Sequence, residues 1–395
     1  MTRLLIIRRL LKKTLLFGAA LTCFFLLFGC SGPIKYLPQD CVNRSSQTPT
    51  LQQKIAQMLI IGFRATELQG DEPIVRDICK YGIGGVILFD YDVILESYER
   101  SIVSPRQVFD LTRTLQSYSG LPLLIAIDQE GGRVSRLKER YGFPPTVSAQ
   151  FLGTANDLVL TRKYAESMAE TLQKSGINVN FAPVVDLNVN PDNPVIGGLE
   201  RSFSADPDVV TAHAGVFVEA HKRNNIMTTL KHFPGHGSSN TDSHKGLVDV
   251  TSTWTEKELD PYRTMISRGD CKMVMTAHIF NRNIDPEYPA TLSYAMITGL
   301  LRNKLGFKGV VVSDDMQMGA ITQNYSFDTA VEKAILAGVD ILDVANEAAY
   351  DPDAAPRTIE LITSLVKKGI ISEVRINESY QRIMELKRLM YEKKI

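Results

Sequence analysis

Eight short apolar runs rich in β-branched residues, separated by longer segments of helical periodicity, constrain the fold of this chain more than any other feature. Alternation of this kind is typical of βα units arranged around a parallel sheet. Eight such units predict an α/β fold with a single (β/α)8 barrel of TIM type. The predicted strands are residues 58–63, 84–89, 123–128, 179–186, 228–232, 272–278, 309–314 and 339–344.

Helix signals agree with this strand count. Ser104-Pro105 is a typical helix start, and four glycines stand where helices should end. These are Gly176, Gly306, Gly338 and Gly369. Residues 354–367 and 373–394 predict a helical extension after the eighth strand. A doubly wound open sheet is the alternative fold, but no G-x-G-x-x-G follows any predicted strand to favour it.

The first thirty residues have the pattern of a targeting segment rather than of a folded element. Five basic residues precede an apolar run at 15–28, which is short for a membrane span. The run ends in Leu-Phe-Gly-Cys-Ser, which resembles a bacterial lipobox and implies cleavage before Cys30 with lipid attached to that cysteine. We therefore expect a signal peptide at 1–29, a tether at 30–50 and a catalytic barrel at 51–395. A retained N-terminal anchor helix is the alternative, and both place the body outside the cytoplasm.

Charge and cysteine content exclude some classes of protein. The chain has 44 Lys plus Arg and 44 Asp plus Glu, and removing the five basic residues of the signal leaves 39 against 44. This mildly acidic body argues against nucleic-acid binding. Outside the targeting segment the cysteines are Cys41, Cys79 and Cys271, an odd number that permits at most one disulfide. We expect Cys79 and Cys271 to be buried free thiols.

Polar residues follow the predicted third strand, at the barrel end where active sites assemble. Asp128 and Glu130 come directly after the apolar run, and Arg136 follows shortly after. Between them, Gly131 and Gly132 predict a close approach of the backbone to a ligand. A helix-capping acid with a surface arginine is the structural alternative for this motif.

The predicted fourth strand ends at Asp186, and a polar, turn-rich loop leads from it to Arg201. We expect Asp186 to brace neighbouring loops rather than to touch substrate. Arg201, at the end of this loop, can be a solvated charge or part of a loop salt bridge.

Four of the six histidines fall near the ends of the fifth and sixth strands, and their spacing matches no zinc site that we can identify. Asp242-Ser243-His244 offers a different chemistry, because a carboxylate beside an imidazole orients it as a general acid/base. An Asx turn with a surface histidine is the alternative. The four histidines are His232, His236, His244 and His278.

The predicted seventh strand ends in Asp314-Asp315. Since adjacent strand residues point to opposite faces, we expect only Asp314 to face the barrel mouth, as a carboxylate nucleophile, and Asp315 to bond a loop or a lysine. Lys231, His232 and His278 are expected beside it as hydroxyl donors or charge partners.

Five motifs in order across residues 50–345 together resemble glycoside hydrolase family three, in its β-N-acetylglucosaminidase branch and in a bacterial lipoprotein form. They are IDQEGGRVSRL, NPDNPVIG with ERSF, KHFPGHG with TDSH, MTAH, and VVVSDDMQMGA. The resemblance implies a retaining exo-glycosidase that removes terminal β-linked N-acetylglucosamine, often from peptidoglycan fragments, and needs no metal or other cofactor.

The resemblance also implies roles for individual residues. Asp314 corresponds to the nucleophile that forms the glycosyl-enzyme, and His244, oriented by Asp242, corresponds to the acid/base. The positions that hold the sugar hydroxyls and the N-acetyl group correspond to Asp128, Arg136, Lys231, His232 and Arg201.

Three other functions are consistent with these residues. A sugar-binding lipoprotein without catalysis is one alternative. A glycoside phosphorylase is another, because a histidine acid/base avoids repelling an incoming phosphate. A metal hydrolase is the weakest of the three. For the protein itself, with the N-acetylglucosaminidase function that the resemblance implies, we expect a monomer that is attached to the bacterial outer membrane or cell surface through Cys30.

Overall fold

Eight parallel strands form a nearly closed barrel, in agreement with the predicted TIM-type fold. The computed structural model describes Cys41 and residues 48–391, so the predicted signal peptide, Cys30 and most of the predicted tether lie outside the described residues. The strands, counted first to eighth in chain order, are Leu59–Gly62, Gly85–Leu88, Leu124–Ile127, Val179–Asn180, Met227–Phe233, Met273–Thr276, Val310–Ser313 and Leu342–Val344.

Consecutive strands pair in parallel from the first to the seventh, and the first strand also pairs with the eighth. Between the seventh and eighth strands, the amide of Ser313 donates to the carbonyl of Ile341 at 2.9 Å, and the amide of Ile341 donates to Val311 at 3.0 Å. These bonds join the two ends of the sheet. The alternative of an open, doubly wound sheet is therefore wrong.

The fourth strand is shorter than predicted. Its regular ladder covers only Val179–Asn180, although the run that follows stays beside the fifth strand. There, the amide of Val185 donates to the carbonyl of Lys231 at 2.8 Å. Pro183 interrupts the predicted strand, and proline has no amide hydrogen to donate to a ladder.

The barrel strands are buried almost throughout. Of all their residues only Met227 retains intermediate exposure. This continuous burial is expected when a parallel sheet is covered by helices on its outer face and filled by side chains inside. It explains why the strands appear in the sequence as unbroken apolar runs.

Helices connect the strands and begin and end at the predicted signals. Ser104 accepts a hydrogen bond from the amide of Gln107, and Gly176, Gly306, Gly338 and Gly369 follow helices with positive φ. No helix in the described part of the chain is long and apolar enough to cross a bilayer. The α-helices are Leu51–Gln57, Pro73–Arg76, Pro105–Tyr118, Ala149–Ala155, Leu158–Lys174, Pro207–Arg223, Asp260–Ser267, Gly319–Thr322, Phe327–Ala337, Ala354–Lys367 and Glu373–Tyr391, with π-helical segments Asp77–Tyr81 and Ala295–Lys304.

Short additional elements lie within the connections. Tyr91–Asp92 and Ser97–Tyr98 form an antiparallel ribbon, and Val248–Asp249 pairs in parallel with Ile279–Phe280. Single 3-10 turns are Glu139–Tyr141, Glu256–Leu259 and Ala290–Leu292.

The cysteines differ from the prediction in one respect. Cys79 is bonded to Cys41 in a disulfide, so the expectation of a free thiol at Cys79 is wrong. Spatial proximity decides this, because the two Cα atoms lie 4.6 Å apart although 38 positions separate the residues in sequence. Cys271 is a buried free thiol, as predicted.

Candidate active site

A cavity of about 460 Å³ opens at the carboxyl ends of the barrel strands. This volume falls within the usual range for small-molecule sites. Seven of the eight predicted catalytic and substrate-binding residues line it. The eighth, Asp242, is hydrogen-bonded to His244, which is one of the seven. The seven are Asp128, Arg136, Arg201, Lys231, His232, His244 and Asp314.

Asp314 follows the last residue of the seventh strand and presents a carboxylate to the cavity. Its Oδ1 accepts a hydrogen bond from the amide of Asp315 at 2.9 Å, and its Oδ2 has no hydrogen-bond partner among the described residues. Burial raises the pKa of Asp314, but the imidazoles of His278, His232 and His244 outweigh burial and lower the pKa below its usual value. The side chain is therefore ionised at neutral pH, with one oxygen available to react.

Asp315 also lines the cavity, contrary to the expectation that only one of the two acids faces it. Strand alternation does not apply here, because the regular strand ends at Ser313. As predicted, Asp315 bonds a loop: its Oδ1 accepts from the amides of Gln317 and Ala345, both at 3.1 Å. Burial raises the pKa of Asp315 to about 7.

His244 and Asp242 form a hydrogen-bonded pair at the cavity rim. The Nδ1 of His244 lies 2.8 Å from Oδ1 of Asp242, which also accepts from the His244 amide at 2.9 Å. Burial raises the pKa of Asp242, but the bonds from His244 outweigh it and lower the pKa. The imidazole side chain is 60% exposed, and its Nε2 has no partner in the described part of the chain. This nitrogen can therefore exchange a proton with a bound molecule.

The loop that carries His244 is attached to the loop after the seventh strand. The amide of Gly319 donates to the carbonyl of His244 at 3.2 Å, and the amide of Ala320 donates to that of Ser243 at 3.1 Å. Backbone bonds thus join the segment that holds the imidazole to the segment that follows Asp314. The two reactive groups are positioned by one connected unit.

A buried charge network forms the opposite wall of the cavity. Lys231, almost fully buried, places Nζ 2.6 Å from Asp128 and 2.7 Å from Glu130. Burial lowers the pKa of the Lys231 ammonium, but these two carboxylates outweigh it and raise the pKa. Lys231 is therefore charged. Asp128 keeps 19% of its side-chain surface exposed and can still accept a hydrogen bond from a ligand.

Glu130 organises this wall, although no role was predicted for it. Its two carboxylate oxygens accept from Nε and Nη2 of Arg201, both at 2.7 Å. Burial would raise the pKa of Glu130, but Arg201 and Lys231 lower it to about 2. The sequence signal that could have identified Glu130 is its position two residues after Asp128, since strand residues two apart share a face.

His232 lines the cavity but has no free ring nitrogen. Its Nδ1 lies 2.7 Å from Asp186, and its Nε2 lies 3.1 Å from Nη2 of Arg201. Burial, followed by the charges of Arg201 and Lys231, keeps the pKa of His232 well below its usual value. The ring is therefore neutral, and it accepts from Arg201 while donating to Asp186. As predicted, Asp186 braces neighbouring segments, since it also accepts from the amide of His236 at 2.8 Å.

The remaining histidines are also engaged by the protein. His236 bonds Ser239 and Ser243 through its two ring nitrogens. His278 bonds Thr291 at 2.8 Å and the carbonyl of Asp315 at 2.9 Å, so it braces the seventh-strand loop and is not a free hydroxyl donor. It does fit the other predicted role, that of a charge partner, because it lowers the pKa of Asp314. Within Cys41 and residues 48–391, no group of three or more His, Cys, Asp or Glu is arranged to hold a metal ion.

Gly131 and Gly132 serve a different purpose from the one predicted. A Cβ on Gly131 would lie 2.4 Å from the carbonyl oxygen of Val147, and one on Gly132 would lie 2.7 Å from Cα of Ser148. The close approach is to the protein's own backbone and not to a ligand. Both residues also have positive φ, of 101° and 58°.

Arg136 reaches the cavity over the ring of Phe89, with Cζ 5.2 Å from the ring centroid. Its Nη1 lies 3.9 Å from Asp90, and its buried Nε has no partner among the described residues. Arg136 therefore has donor capacity that a ligand can use.

The fold and cavity together define a (β/α)8 barrel with a polar, carboxylate-rich site at the carboxyl ends of its strands, which is where barrel enzymes assemble their active sites. Residues 50–386 match the Glycosyl hydrolase family 3 N terminal domain. The chain belongs to this family, as the five sequence motifs predicted.

Known proteins of similar sequence and structure carry names consistent with this family. The chain is 33% identical to beta-hexosaminidase A of Pseudoalteromonas piscicida, with 87% of this chain and 62% of that protein covered. It is 34% identical to a beta-hexosaminidase of Xylella fastidiosa, with 83% and 98% covered. A glycoside hydrolase family 3 beta-N-acetylglucosaminidase of Paenibacillus sp. str. FPU-7 superposes with a TM-score of 0.79 at 35% identity, over 87% of this chain and 63% of that one. The chain thus spans less than two thirds of two of these relatives and almost the whole of the third.

Proposed function

We propose that this protein is a retaining exo-β-N-acetylglucosaminidase that hydrolyses terminal β-linked N-acetylglucosamine from glycans such as peptidoglycan fragments. The observation that carries the proposal is that an ionised Asp314 and an Asp242-oriented His244 border one cavity. The names of the relatives, beta-hexosaminidase and beta-N-acetylglucosaminidase, support the choice of sugar.

The proposed reaction has two steps. In the first, the Oδ2 of Asp314 attacks the anomeric carbon while His244 gives a proton to the leaving glycosidic oxygen. In the second, neutral His244 takes a proton from water, and that water displaces Asp314 from the sugar. The hydrogen bond to Asp242 stabilises the imidazolium before the first transfer and fixes Nε2 as the nitrogen that exchanges the proton.

The opposite wall is proposed to hold the sugar in place. Asp128 and Arg136 have hydrogen-bonding capacity that the protein leaves free, whereas Arg201 and His232 are held in place by Glu130 and Asp186. This pairing keeps the wall rigid, so that Asp128 and Arg136 can contact sugar hydroxyls or the N-acetyl group without rearrangement, while His232 supports Arg201.

We further propose that the protein is attached to an extracytoplasmic membrane surface through lipid on Cys30, as the sequence pattern predicts. The Cys41–Cys79 disulfide supports this location, because such bonds persist in oxidising compartments. If so, a Cys30→Ser variant should move from the membrane fraction to the soluble fraction, whereas unchanged membrane association would favour a retained anchor helix.

Release of nitrophenol from three aryl glycosides tests the proposed activity directly. The β-N-acetylglucosaminide should be cleaved in preference to the β-glucoside and the β-xyloside, and without any need for phosphate. A strict requirement for phosphate would establish a phosphorylase instead. Binding of the N-acetyl sugar without turnover of any substrate would establish a sugar-binding protein.

A further inference from the structure

Asp343 is a buried acid that the proposed mechanism does not use. It lies in the eighth strand, Leu342–Val344, where both neighbouring residues belong to the hydrophobic core. Strand residues alternate between faces, so the neighbours point toward the surrounding helices while Asp343 points into the barrel. Only 3% of Asp343 is exposed, and the residue lines the same cavity as Asp314.

The Asp343 side chain has no partner in the described structure. Its Oδ1 is buried without any hydrogen bond, and no described cation pairs with the carboxyl group. The backbone, in contrast, is fully engaged. The Asp343 amide donates to Oγ of Ser313 at 3.0 Å, and its carbonyl accepts from the amide of Met316 at 3.0 Å. The strand is therefore fixed, and the unsatisfied side chain cannot turn away from the cavity.

The other acids around Asp343 each have a hydrogen-bond or ion-pair partner for the carboxylate among the described residues, except Glu347, which is a half-buried residue at the cavity rim. Asp128 has the ammonium of Lys231, Asp314 has the amide of Asp315, and Asp315 has two backbone amides. Burial, and then the negative charges of Asp315, Asp128 and Asp314, raise the pKa of Asp343 well above its usual value. This shift favours the neutral carboxylic acid, which carries one O–H donor and a carbonyl acceptor.

We propose that Asp343 is a further specificity-determining residue, which forms a hydrogen bond with a hydroxyl group of the sugar held in the cavity. A hydroxyl matches a neutral carboxylic acid because each partner both donates and accepts. Buried polar groups in folded proteins nearly always have partners, and a ligand hydroxyl would supply the missing one here. The inference rests on the proposed sugar substrate and deepens it, because it identifies a discriminating contact in the same site.

A binding cycle between protein variants and sugar analogues tests the contact. The probes are N-acetylglucosamine and its 3-deoxy, 4-deoxy and 6-deoxy forms, measured by calorimetry on the purified full-length protein. The wild type should bind one deoxy form about tenfold more weakly than the parent sugar. Asp343→Leu should bind the parent about tenfold more weakly and should show no further loss with that same deoxy form.

Two further variants make the cycle specific. Asp343→Asn retains a donor and an acceptor and should keep most of the discrimination. Asp77→Asn removes another buried acid with a raised pKa, at a position outside the cavity, and should discriminate as the wild type does. If Asp343→Leu does not fold, Asp343→Ala takes its place in the cycle.

Equal discrimination by the wild type and Asp343→Leu for all three deoxy forms would overturn the proposal. That result would mean that a bound water, and not a sugar hydroxyl, is the hydrogen-bond partner of the Asp343 carboxyl group. The outcome is separate from failure of the proposed function, because sugar binding does not require turnover. Sugar binding without hydrolysis would overturn the catalytic proposal and leave this contact testable, whereas no binding of any sugar would overturn both.

Discussion

At the scale of single residues, local charge balance separates carboxyl groups that look alike in the sequence. Asp314 has a lowered pKa because imidazoles surround it, while the adjacent Asp315 has its pKa raised to about 7 by burial. Glu130, next to two cations, falls to about 2. At neutral pH Asp314 and Glu130 are therefore ionised, whereas Asp315 is only partly ionised, which limits the negative charge next to Asp314.

The proposed role of His244 predicts a dependence on the leaving group. His244→Ala should reduce turnover of substrates with poor, alkyl-type leaving groups by a factor of about 100 or more, and of activated aryl substrates far less, because only the former need protonation. Measuring kcat/KM over a series of substrates shows how strongly the rate of each variant depends on the leaving group. Equal losses across the series would rule out the acid role.

The sequence predicted which side chains meet at the cavity better than it predicted what each one does there. Seven candidate residues line the cavity because parallel strands end at one rim. His278 and His232 were expected to be hydroxyl donors or charge partners. Both ring nitrogens of each are occupied, so neither is a free donor, but both lower the pKa of Asp314. Such hydrogen bonds depend on residues distant in sequence. Asp343 was not predicted as a site residue, because the sequence of an unbroken apolar run does not indicate which face of the strand an acid within it occupies.

At the scale of structural elements, the histidine loop is held by two independent contacts. One is the pair of backbone bonds to Gly319 and Ala320. The other is Glu258, whose Oε2 accepts from the amide of Gly237 at 3.1 Å. The first contact positions the imidazole, and the second supports the turn that precedes it.

Replacing Gly319 should move the histidine loop without unfolding the barrel. A Cβ at this position would lie 2.6 Å from the carbonyl oxygen of His244, so Gly319→Ala must displace that backbone. We expect kcat/KM for substrates with poor leaving groups to fall about tenfold, with the same leaving-group dependence as His244→Ala.

Gly215→Ala is the matched control, since nothing lies within 4 Å of a Cβ at this helical position. It should leave kinetics unchanged and raise stability slightly, because alanine favours helix over glycine. Full activity of Gly319→Ala on all substrates would show that the loop position does not matter for proton transfer.

Glu258 should make stability depend on pH. Burial raises the pKa of this acid from 4.5 to about 7, so the folded state holds a proton that the unfolded state releases. The contribution of Glu258 to stability is thus fully present below about pH 4.5 and is lost as pH rises through about 7. The loss amounts to at most about 3 kcal/mol.

Denaturant unfolding from pH 4 to 8 measures this effect. Glu258→Gln should flatten the decline in the free energy of unfolding, whereas Glu256→Gln, on the exposed side of the same turn, should follow the wild type. A Glu258→Gln profile parallel to that of the wild type would contradict the assignment.

The strands were the most predictable elements, and their ends were the least. All eight predicted runs overlap a barrel strand, because a strand that is buried along its whole length has an unbroken apolar sequence. The second half of the fourth predicted run is not part of the regular strand, because its proline has no amide hydrogen to donate to the ladder. The prediction that only Asp314 of the Asp314-Asp315 pair faces the cavity was wrong for a related reason. The strand ends at Ser313, so the alternation of strand faces does not extend to these two residues.

At the scale of the whole molecule, the barrel is closed by bonds between its seventh and eighth strands and is further linked by one disulfide. Cys41 precedes the first helix of the barrel, and Cys79 lies in the Asp77–Tyr81 segment before the second strand. The disulfide therefore attaches the chain before the barrel to the barrel itself. The sequence permitted this pairing but did not identify it, because only the fold brings the two cysteines together.

Reducing the disulfide should lower stability without abolishing the fold. With the cysteines 38 positions apart in sequence, the loss of the constraint on the unfolded chain is worth about 2–4 kcal/mol. Guanidinium unfolding with and without reductant measures it. Cys79→Ala should resemble the reduced wild type and should not respond to reductant, and an unchanged midpoint for the reduced wild type would contradict the prediction.

Trapping the glycosyl-enzyme tests the central claim, that Asp314 is the nucleophile of a retaining glycosidase, most directly. A fluorinated N-acetylglucosaminyl donor that forms the intermediate faster than it is hydrolysed should add one sugar residue to the intact protein. Peptide mass spectrometry should locate that sugar on Asp314, and Asp314→Asn should remain unlabelled while staying folded. A label on another residue, or none on a protein that turns over the aryl N-acetylglucosaminide, would contradict the account.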